Sequence, residues 1–143
     1  CDIKERNLNR AIGIVEEARG RKPEGYSRGP KDYLRMLQRD DLDAIICGTG
    51  MQEHAEICIA AMRAGKDVLS EVAAAMTLDE CWELVETAER LDKHCVMMEN
   101  CCYGRSEMMV LNMVRQGVLG ETVHAQCGYR HALREVKHDL EGE

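Results

Sequence analysis

The sequence has no phenylalanine, one tryptophan and two prolines, and aromatic residues make up only 3% of its 143 positions. Any core must therefore be built from aliphatic and sulfur-containing side chains, and 45% of the residues are apolar. No apolar run approaches the roughly 20 residues that cross a bilayer, so no membrane segment is expected. This composition is typical of a soluble globular chain of ordinary domain size.

Positive charge is also scarce, and the net charge of −7 would repel a phosphate backbone. Nucleic acid is therefore not expected as a partner. The basic residues of segment 19–31 lie among glycines and prolines, which indicates a solvated loop rather than a phosphate-binding one.

Eight cysteines are present without any C-x-x-C pair, so neither a metal site nor a disulfide framework is expected. Their apolar surroundings favour small buried side chains in a reducing compartment. A cytoplasmic location is favoured on this ground. Export stays open because the sequence starts at Cys1 rather than at a methionine.

From residue 43 onward, short β-like runs alternate with helical ones, which predicts a parallel sheet with right-handed crossovers. The predicted strands are 43–49, 67–71 and 94–100. The predicted helices are 7–19, 30–40, 52–66, 77–93 and 106–117. A further strand is expected over 121–133, where apolar and polar residues alternate.

Local signals fix several helix ends. Thr77 and Glu80 have the spacing of a capping box, and Gly65 is placed as the residue that closes the preceding helix. In the helix after Thr77, apolar residues recur every three or four positions, which is the period of a helix. They are Leu78, Trp82, Val85, Ala88 and Leu91.

The ends of the three strands carry polar residues. In a parallel sheet these ends share one edge, and ligands bind in the crevice beside it. The strands end in Gly48-Thr49-Gly50, in Ser70-Glu71 and in Glu99-Asn100. We expect both carboxylates to face a ligand. The alternatives are solvated strand ends or helix N-terminal anions for the glutamates, and for Thr49 a turn hydroxyl bonded to its own backbone.

The run LDAIICGTGMQEHAEICIAAMRAGKDVLSEVAAAMTLDECWELVETAERLDKHCVMMEN, with MVRQGVLGETVHA downstream, resembles the Gfo/Idh/MocA oxidoreductases. The shared features are the D-A-I-I strand, the T-x-x-x-x-H turn ending at His54 and the A-G-K-D-V-L-x-E strand. The resemblance implies a Rossmann-like α/β fold without its first strand, forming a partial NAD-binding domain over 1–103. Residues 104–143 would be a linking helix and the first strand of a truncated α+β substrate domain. The implied cofactor-binding residues are Gly48, Thr49, Gly50, His54, Glu71 and Asn100.

The resemblance also bears on the first residues. C-D-I is similar to the end of the second Rossmann strand, where Asp2 would accept bonds from the adenosine ribose and repel the extra phosphate of NADP. The G-x-G-x-x-G turn that seats a pyrophosphate does not occur in the sequence. The chain is therefore expected to be a fragment of an NAD-dependent protein, inactive by itself.

One departure points to a branch of this family. Most of its sugar dehydrogenases follow the strand-end glutamate with Lys-Pro, whereas this chain has Val72 and Ala73. The tracts EVAAAMTLDECW, MMENCCYGR, VLNMVRQGVLGE and GYRHALREVK are similar to the NAD-dependent α-N-acetylgalactosaminidases. That similarity implies active-site roles for Glu99, Tyr129 and His131. Ala132 stands where the branch signature G-Y-x-H-D-L-R has aspartate, so one orienting carboxylate would be missing.

The implied function is cleavage of an N-acetylgalactosaminide, a small-molecule sugar partner, by transient oxidation of the sugar with NAD as hydride acceptor, then elimination, hydration and re-reduction. Glu99 would contact the sugar or take a proton, and Tyr129 and His131 would supply acid/base or hydrogen-bonding groups. The alternative for the latter two is a half-exposed strand surface. A plain NAD-linked sugar dehydrogenase and a non-catalytic binding module are the rival functions. The sugar, its anomer and the formation of a homo-oligomer are left open.

Overall fold

The computed structural model describes residues 1–128, 130, 132 and 133. The chain divides into two compact units, residues 1–100 and 101–143. The elements in order are α1 (Glu5–Arg19), α2 (Tyr33–Leu37), β1 (Ala44–Cys47), α3 (Met51–Arg63), β2 (Asp67–Ser70), α4 (Leu78–Leu91), β3 (Cys95–Met97) and α5 (Arg105–Arg115). No helix in the described part of the chain is both long and apolar enough to span a bilayer.

The first unit is built on a three-stranded sheet of order β1-β2-β3 in which both pairs are parallel. This confirms the predicted parallel α/β architecture. The register aligns Cys47 with Ser70 and Ser70 with Met97, so the three strands end level with one another. Two further hydrogen bonds of 2.8 Å, from Glu71 N–H to the Cys47 carbonyl and from Met98 N–H to the Ser70 carbonyl, extend the ladder to this edge.

One face of the sheet carries the core. α3 packs on β1 and β2, and α4 packs on α3 and β3. The most deeply buried apolar side chains are Cys58, Ala61, Met62 and Val68. On the other face, Ile46, Leu69 and Val96 form one cross-strand row, in which Ile46 is 71% exposed and Val96 49% exposed. Parallel sheets are usually covered on both faces, so this row marks a face that the described residues leave open.

The predicted helix signals are confirmed at α3 and α4. The Thr77 hydroxyl accepts from Glu80 N–H at 3.2 Å, and the Glu80 carboxylate accepts from Thr77 N–H at 2.9 Å, which completes the capping box. Backbone N–H groups of Met76 and Thr77 lower the pKa of Glu80 because they bond its charged form. Gly65 follows α3 with φ of +79°, a conformation that glycine adopts without strain.

The helix predicted from the apolar period is confirmed as α4, but not all of the residues that show this period are buried. Trp82 is 65% exposed and Leu78 is 78% exposed. The helix instead buries Leu84 and Thr87, with Ala88 and Leu91 partly buried beside them. The sequence pattern had joined two stripes on different sides of the helix, and packing against α3 and β3 selects the one that starts at Leu84.

The cysteines also differ from expectation. Only Cys47 and Cys58 are buried, and Cys95 is half-buried. The other five, Cys1, Cys81, Cys101, Cys102 and Cys127, are exposed. Neighbouring apolar letters did not ensure burial: Cys81, for example, lies one residue before the exposed Trp82 on α4.

The basic loop before α2 is solvated at its charged residues, as predicted, but it is anchored by Tyr26, which is only 4% exposed. The Arg35 guanidinium lies 4.2 Å from the centre of the Tyr26 ring and donates to Glu24 at 3.0 Å. Asp32 accepts two bonds from Arg35, at 2.9 and 3.1 Å, and one from Arg28 N–H at 3.0 Å. These contacts fix the loop to α2.

Two predicted strand segments are not strands. Residues 1–3 precede α1 without strand structure, and residues 121–128 of the second unit contain none. A strand needs a neighbour to bond with, and no described residue pairs with either segment. In the second unit α5 follows Gly104 and is succeeded by Gly117 at φ of +69°.

Candidate cofactor edge at the strand ends

The turn after β1 opens the edge of the sheet. Gly48, Thr49 and Gly50 are all exposed, and Gly50 is the residue that caps the start of α3. The Gly50 carbonyl accepts from Glu53 N–H at 2.9 Å, which begins the helix directly after the turn. A short glycine turn leading from a strand into a helix allows a ligand to approach the backbone closely.

Glu71 lies beside this turn. Its N–H bonds the Cys47 carbonyl, and a Cβ placed on Gly48 would lie 3.7 Å from its Cγ. The exposed carboxylate accepts from Val72 N–H at 3.3 Å. The Glu71 side chain therefore lies across the Gly48 backbone, where it is available to a ligand resting on the turn.

His54 is placed differently from the other expected cofactor residues. It is 1% exposed, and both ring nitrogens contact backbone carbonyls: Nδ1 lies 2.8 Å from the Ala73 oxygen and Nε2 lies 3.0 Å from the Thr49 oxygen. Since the ring is buried, the role of His54 in a ligand site would be to hold the Thr49 and Ala73 backbone segments in place.

Thr49 and Cys47 lie next to His54. The Thr49 hydroxyl is 3.4 Å from the Gly50 carbonyl oxygen, a long contact, and 3.6 Å from the Cys47 sulfur. The pKa of the buried Cys47 thiol is lowered, first by hydrogen bonding with Cys58 and then with Thr49, with a further contribution from the charge of His54. The interior side of the turn is thus a polar cluster.

Glu99 and Asn100 follow β3 at the same edge, with Glu99 half-buried and Asn100 exposed. Because β3 pairs with β2, these residues follow the strand next to the one that Glu71 follows, on the side away from β1. The prediction that Thr49, Glu71 and Glu99 follow three adjacent parallel strands at one edge is confirmed.

The remaining expected site residues are not brought to this edge by any described contact. Asp2 precedes α1, where its carboxylate accepts from Lys4 N–H at 2.7 Å and its own N–H donates to the Tyr26 carbonyl at 3.0 Å. Tyr129 and His131 lie outside the described residues.

The donor set at the edge fits the ribose half of a dinucleotide. An exposed carboxylate, an exposed hydroxyl and an open glycine turn supply hydrogen-bond partners and room for sugar hydroxyls. A metal would need a different set, and the described residues contain no cluster of three or more His, Cys, Asp or Glu ligands. A parallel sheet with this edge defines a Rossmann-type nucleotide-binding domain.

Comparison with known proteins identifies the family. Residues 9–99, more than half of the chain, match the Gfo/Idh/MocA family model described as "Oxidoreductase family, NAD-binding Rossmann fold". The chain belongs to this family, and its cofactor is a nicotinamide dinucleotide. Residues 103–142 match the model described as "Glycosyl hydrolase 109, C-terminal domain".

Two curated relatives agree with both matches. A glycosyl hydrolase family 109 protein of Shewanella woodyi is 48% identical over all of this chain and 31% of the relative. An alpha-N-acetylgalactosaminidase of Bacteroides fragilis is 45% identical over 95% of this chain and 32% of the relative. The resemblance seen in the sequence is confirmed. The chain spans about a third of the length of these relatives.

Solved structures show the same fold. The WlbA dehydrogenase from Bordetella pertussis, in complex with NADH and UDP-GlcNAcA, has a TM-score of 0.69 at 21% identity, covering 85% of this chain and 32% of its own. KijD10, a 3-ketoreductase from Actinomadura kijaniata in complex with TDP-benzene and NADP, has a TM-score of 0.62 at 28% identity, covering 81% and 34%. Both similarities support the Rossmann-type architecture.

One member of the site had no signal in the sequence. Ala73 contributes its backbone carbonyl oxygen. Any residue at that position would supply the same group, so its identity gives no indication of this role. The T-x-x-x-x-H spacing did mark His54, but it did not reveal that the ring faces inward.

Proposed function

We propose that this chain is part of an NAD-dependent glycosidase that cleaves α-N-acetylgalactosaminides. The observation that carries the proposal is the continuous similarity, at 45% identity, to the alpha-N-acetylgalactosaminidase of Bacteroides fragilis over 95% of the chain. The match of residues 103–142 to the C-terminal domain of glycosyl hydrolase 109 supports the same conclusion. The substrate would be a small sugar glycoside.

The cofactor would be held at the strand-end edge. Glu71 and the Gly48–Gly50 turn would bind a ribose and approach the nicotinamide side, and Asn100 would contribute an amide from the β3 end. When bound, the nicotinamide would supply a reversible hydride acceptor, which is the chemistry that no side chain provides. The protein's part is to orient the sugar and to move protons.

Glu99 is the residue to which we assign proton transfer or binding of a ring hydroxyl. It is half-buried at the end of β3 and next in line to Glu71 along the edge. The two residues after Glu71 are Val72 and Ala73, so the segment beside it supplies no lysine ammonium. Acid/base work would therefore fall to Glu99 together with Tyr129 and His131, which match active-site positions of the resembled branch.

The test uses the protein expressed from its complete gene. Incubation with a nitrophenyl α-N-acetylgalactosaminide and NAD should release nitrophenol and free N-acetylgalactosamine while no NADH accumulates, because the hydride returns to the product. Release of nitrophenol with no dependence on bound nicotinamide would refute the proposal. Net formation of NADH from a free sugar, without glycoside cleavage, would instead show a sugar dehydrogenase.

We further propose that the cofactor is NAD rather than NADP, because the Asp2 carboxylate would meet a ribose 2′-phosphate with like charge. Asp2→Ser should narrow the preference for NAD in binding titrations by about tenfold, roughly the effect of a 1.4 kcal/mol difference. Asp40→Ser, the same change at an exposed aspartate, is the control. Equal binding of NAD and NADP by the unchanged protein would show that Asp2 does not read the ribose.

A further inference from the structure

His54 joins two chain segments that are distant in sequence. It lies in the first turns of α3, is almost fully buried, and contacts the Thr49 carbonyl five residues before it and the Ala73 carbonyl nineteen residues after it. Thr49 belongs to the glycine turn. Ala73 stands two residues after Glu71, so the ring spans the inner side of the edge that presents the Glu71 carboxylate.

The chemistry of the contact is restrictive. An imidazole N–H that points at a carbonyl oxygen donates a hydrogen bond to it. Both ring nitrogens of His54 lie within hydrogen-bond distance of a carbonyl oxygen, at 2.8 and 3.0 Å. The buried ring is therefore held between the two segments and bonded through its N–H.

We propose that His54 is the positioning residue of the cofactor edge: its ring bridges the Thr49 and Ala73 carbonyls and fixes the Gly48–Gly50 turn relative to Glu71. The inference rests on the proposed function in so far as this edge holds the cofactor. The bridge itself is a property of the chain without ligand. His54 touches no reacting group and acts through the backbone on either side.

The first test observes the bridge directly. In the protein from the complete gene, labelled with nitrogen-15 in histidine only, His54 should show a ring N–H proton that exchanges slowly with solvent. His54→Gln identifies its signals, and the exposed His94 serves as the internal reference. A His54 ring N–H that exchanges as fast as that of His94 would overturn the proposal, and the exchange itself is measured on the unchanged protein.

The second test measures the consequence. In His54→Gln, a flexible amide replaces a rigid ring that contacts both carbonyls, so hydrogen exchange of peptides covering residues 48–50 and 71–76 should rise by about tenfold. Peptides from the middle of α3 should change little. The matched control is His94→Gln, the same chemical change at an exposed position. A uniform rise in all peptides, or no rise, would show that His54 is only a packing residue.

The third readout links the bridge to the cofactor. In His54→Gln the KM for the dinucleotide should rise by more than kcat falls, because the edge is loosened while Glu99 is unchanged. His54→Asn, with a shorter side chain, should raise the KM for the dinucleotide further than Gln does. Failure of the nuclear magnetic resonance and exchange results would refute the bridge and leave the proposed function standing, since neither uses cofactor. Absence of dinucleotide binding by the unchanged protein would refute the proposed function alone.

Discussion

The side chain of Glu71 lies against Gly48, and a Cβ added to that glycine would be 3.7 Å from the Glu71 Cγ. The two residues follow different strands, and the parallel register that aligns Cys47 with Ser70 brings them together. A carboxylate from one strand end and a bare backbone from the next thus form one surface. This is the arrangement expected where a ribose hydroxyl is bound close to the main chain.

Replacing Glu71 by Gln should weaken dinucleotide binding by about tenfold, because a charge-assisted hydrogen bond to a ribose hydroxyl becomes a neutral one. The melting temperature should hardly change, since the side chain is exposed. Titration of the full-gene protein with NAD, followed by fluorescence, measures the effect. Glu86→Gln, on the exposed side of α4, is the control; equal affinities of the two variants would make Glu71 a solvated strand end.

The residues at the edge of the sheet could be predicted because their placement depends only on the alternation of strands and helices along the chain. Strands joined by helices are parallel, so their carboxyl ends must meet, and this placed Gly48, Glu71 and Glu99 correctly. The inward orientation of His54 could not be predicted, because it depends on the position of the Ala73 carbonyl. That carbonyl belongs to a loop whose path no local propensity determines.

α4 also combines features that could be predicted from the sequence with one that could not. Its start and its helical period were readable, since capping and periodicity are local. Which apolar stripe is buried was not readable, because that is set by where α3 and β3 lie. Trp82 is the clearest case: a large apolar residue that follows the helical period and yet is 65% exposed.

Replacing threonine by valine should change the stability of the protein in opposite directions at two positions, the cap of α4 and its buried face. The Thr77 hydroxyl caps the helix, so Thr77→Val should destabilise the protein by about 1 kcal/mol. The Thr87 hydroxyl is buried without a hydrogen-bond partner among the described residues, so Thr87→Val should stabilise it by about 1 kcal/mol. Chemical unfolding of both variants checks this, and a loss of stability in Thr87→Val would mean that its hydroxyl is satisfied.

Stability should depend on pH through Asp32. Hydrogen bonds from the Arg35 guanidinium and then from Arg28 N–H lower the pKa of Asp32 from 3.8 to about 2. A depressed pKa contributes stability that is present above the unfolded value and is lost as pH falls toward the folded one. The gap in melting temperature between the unchanged protein and Asp32→Asn should therefore be widest above about pH 5 and close between pH 3.8 and about 2. Asp40→Asn controls for the loss of a negative charge, and a gap that persists at low pH would contradict the assignment.

Glu99 provides the sharpest test of the catalytic assignment. Its strand is short and ends at Met97, and the carboxylate follows two residues later in a half-buried position at the cofactor edge. A charge in such a place is costly without a partner, and a sugar hydroxyl or a transferred proton would supply one.

Glu99→Gln keeps the shape of the side chain and removes its charge and basicity. Turnover of a nitrophenyl α-N-acetylgalactosaminide should fall by ~10²–10⁴, the usual contribution of a general base. NAD affinity should stay within about twofold, because a change confined to Glu99 leaves the Glu71 side of the edge intact. Glu89→Gln, on the exposed surface of α4, should alter neither quantity. If turnover in Glu99→Gln matches that of the control, Glu99 is a solvated strand end and the proton transfer belongs to another residue.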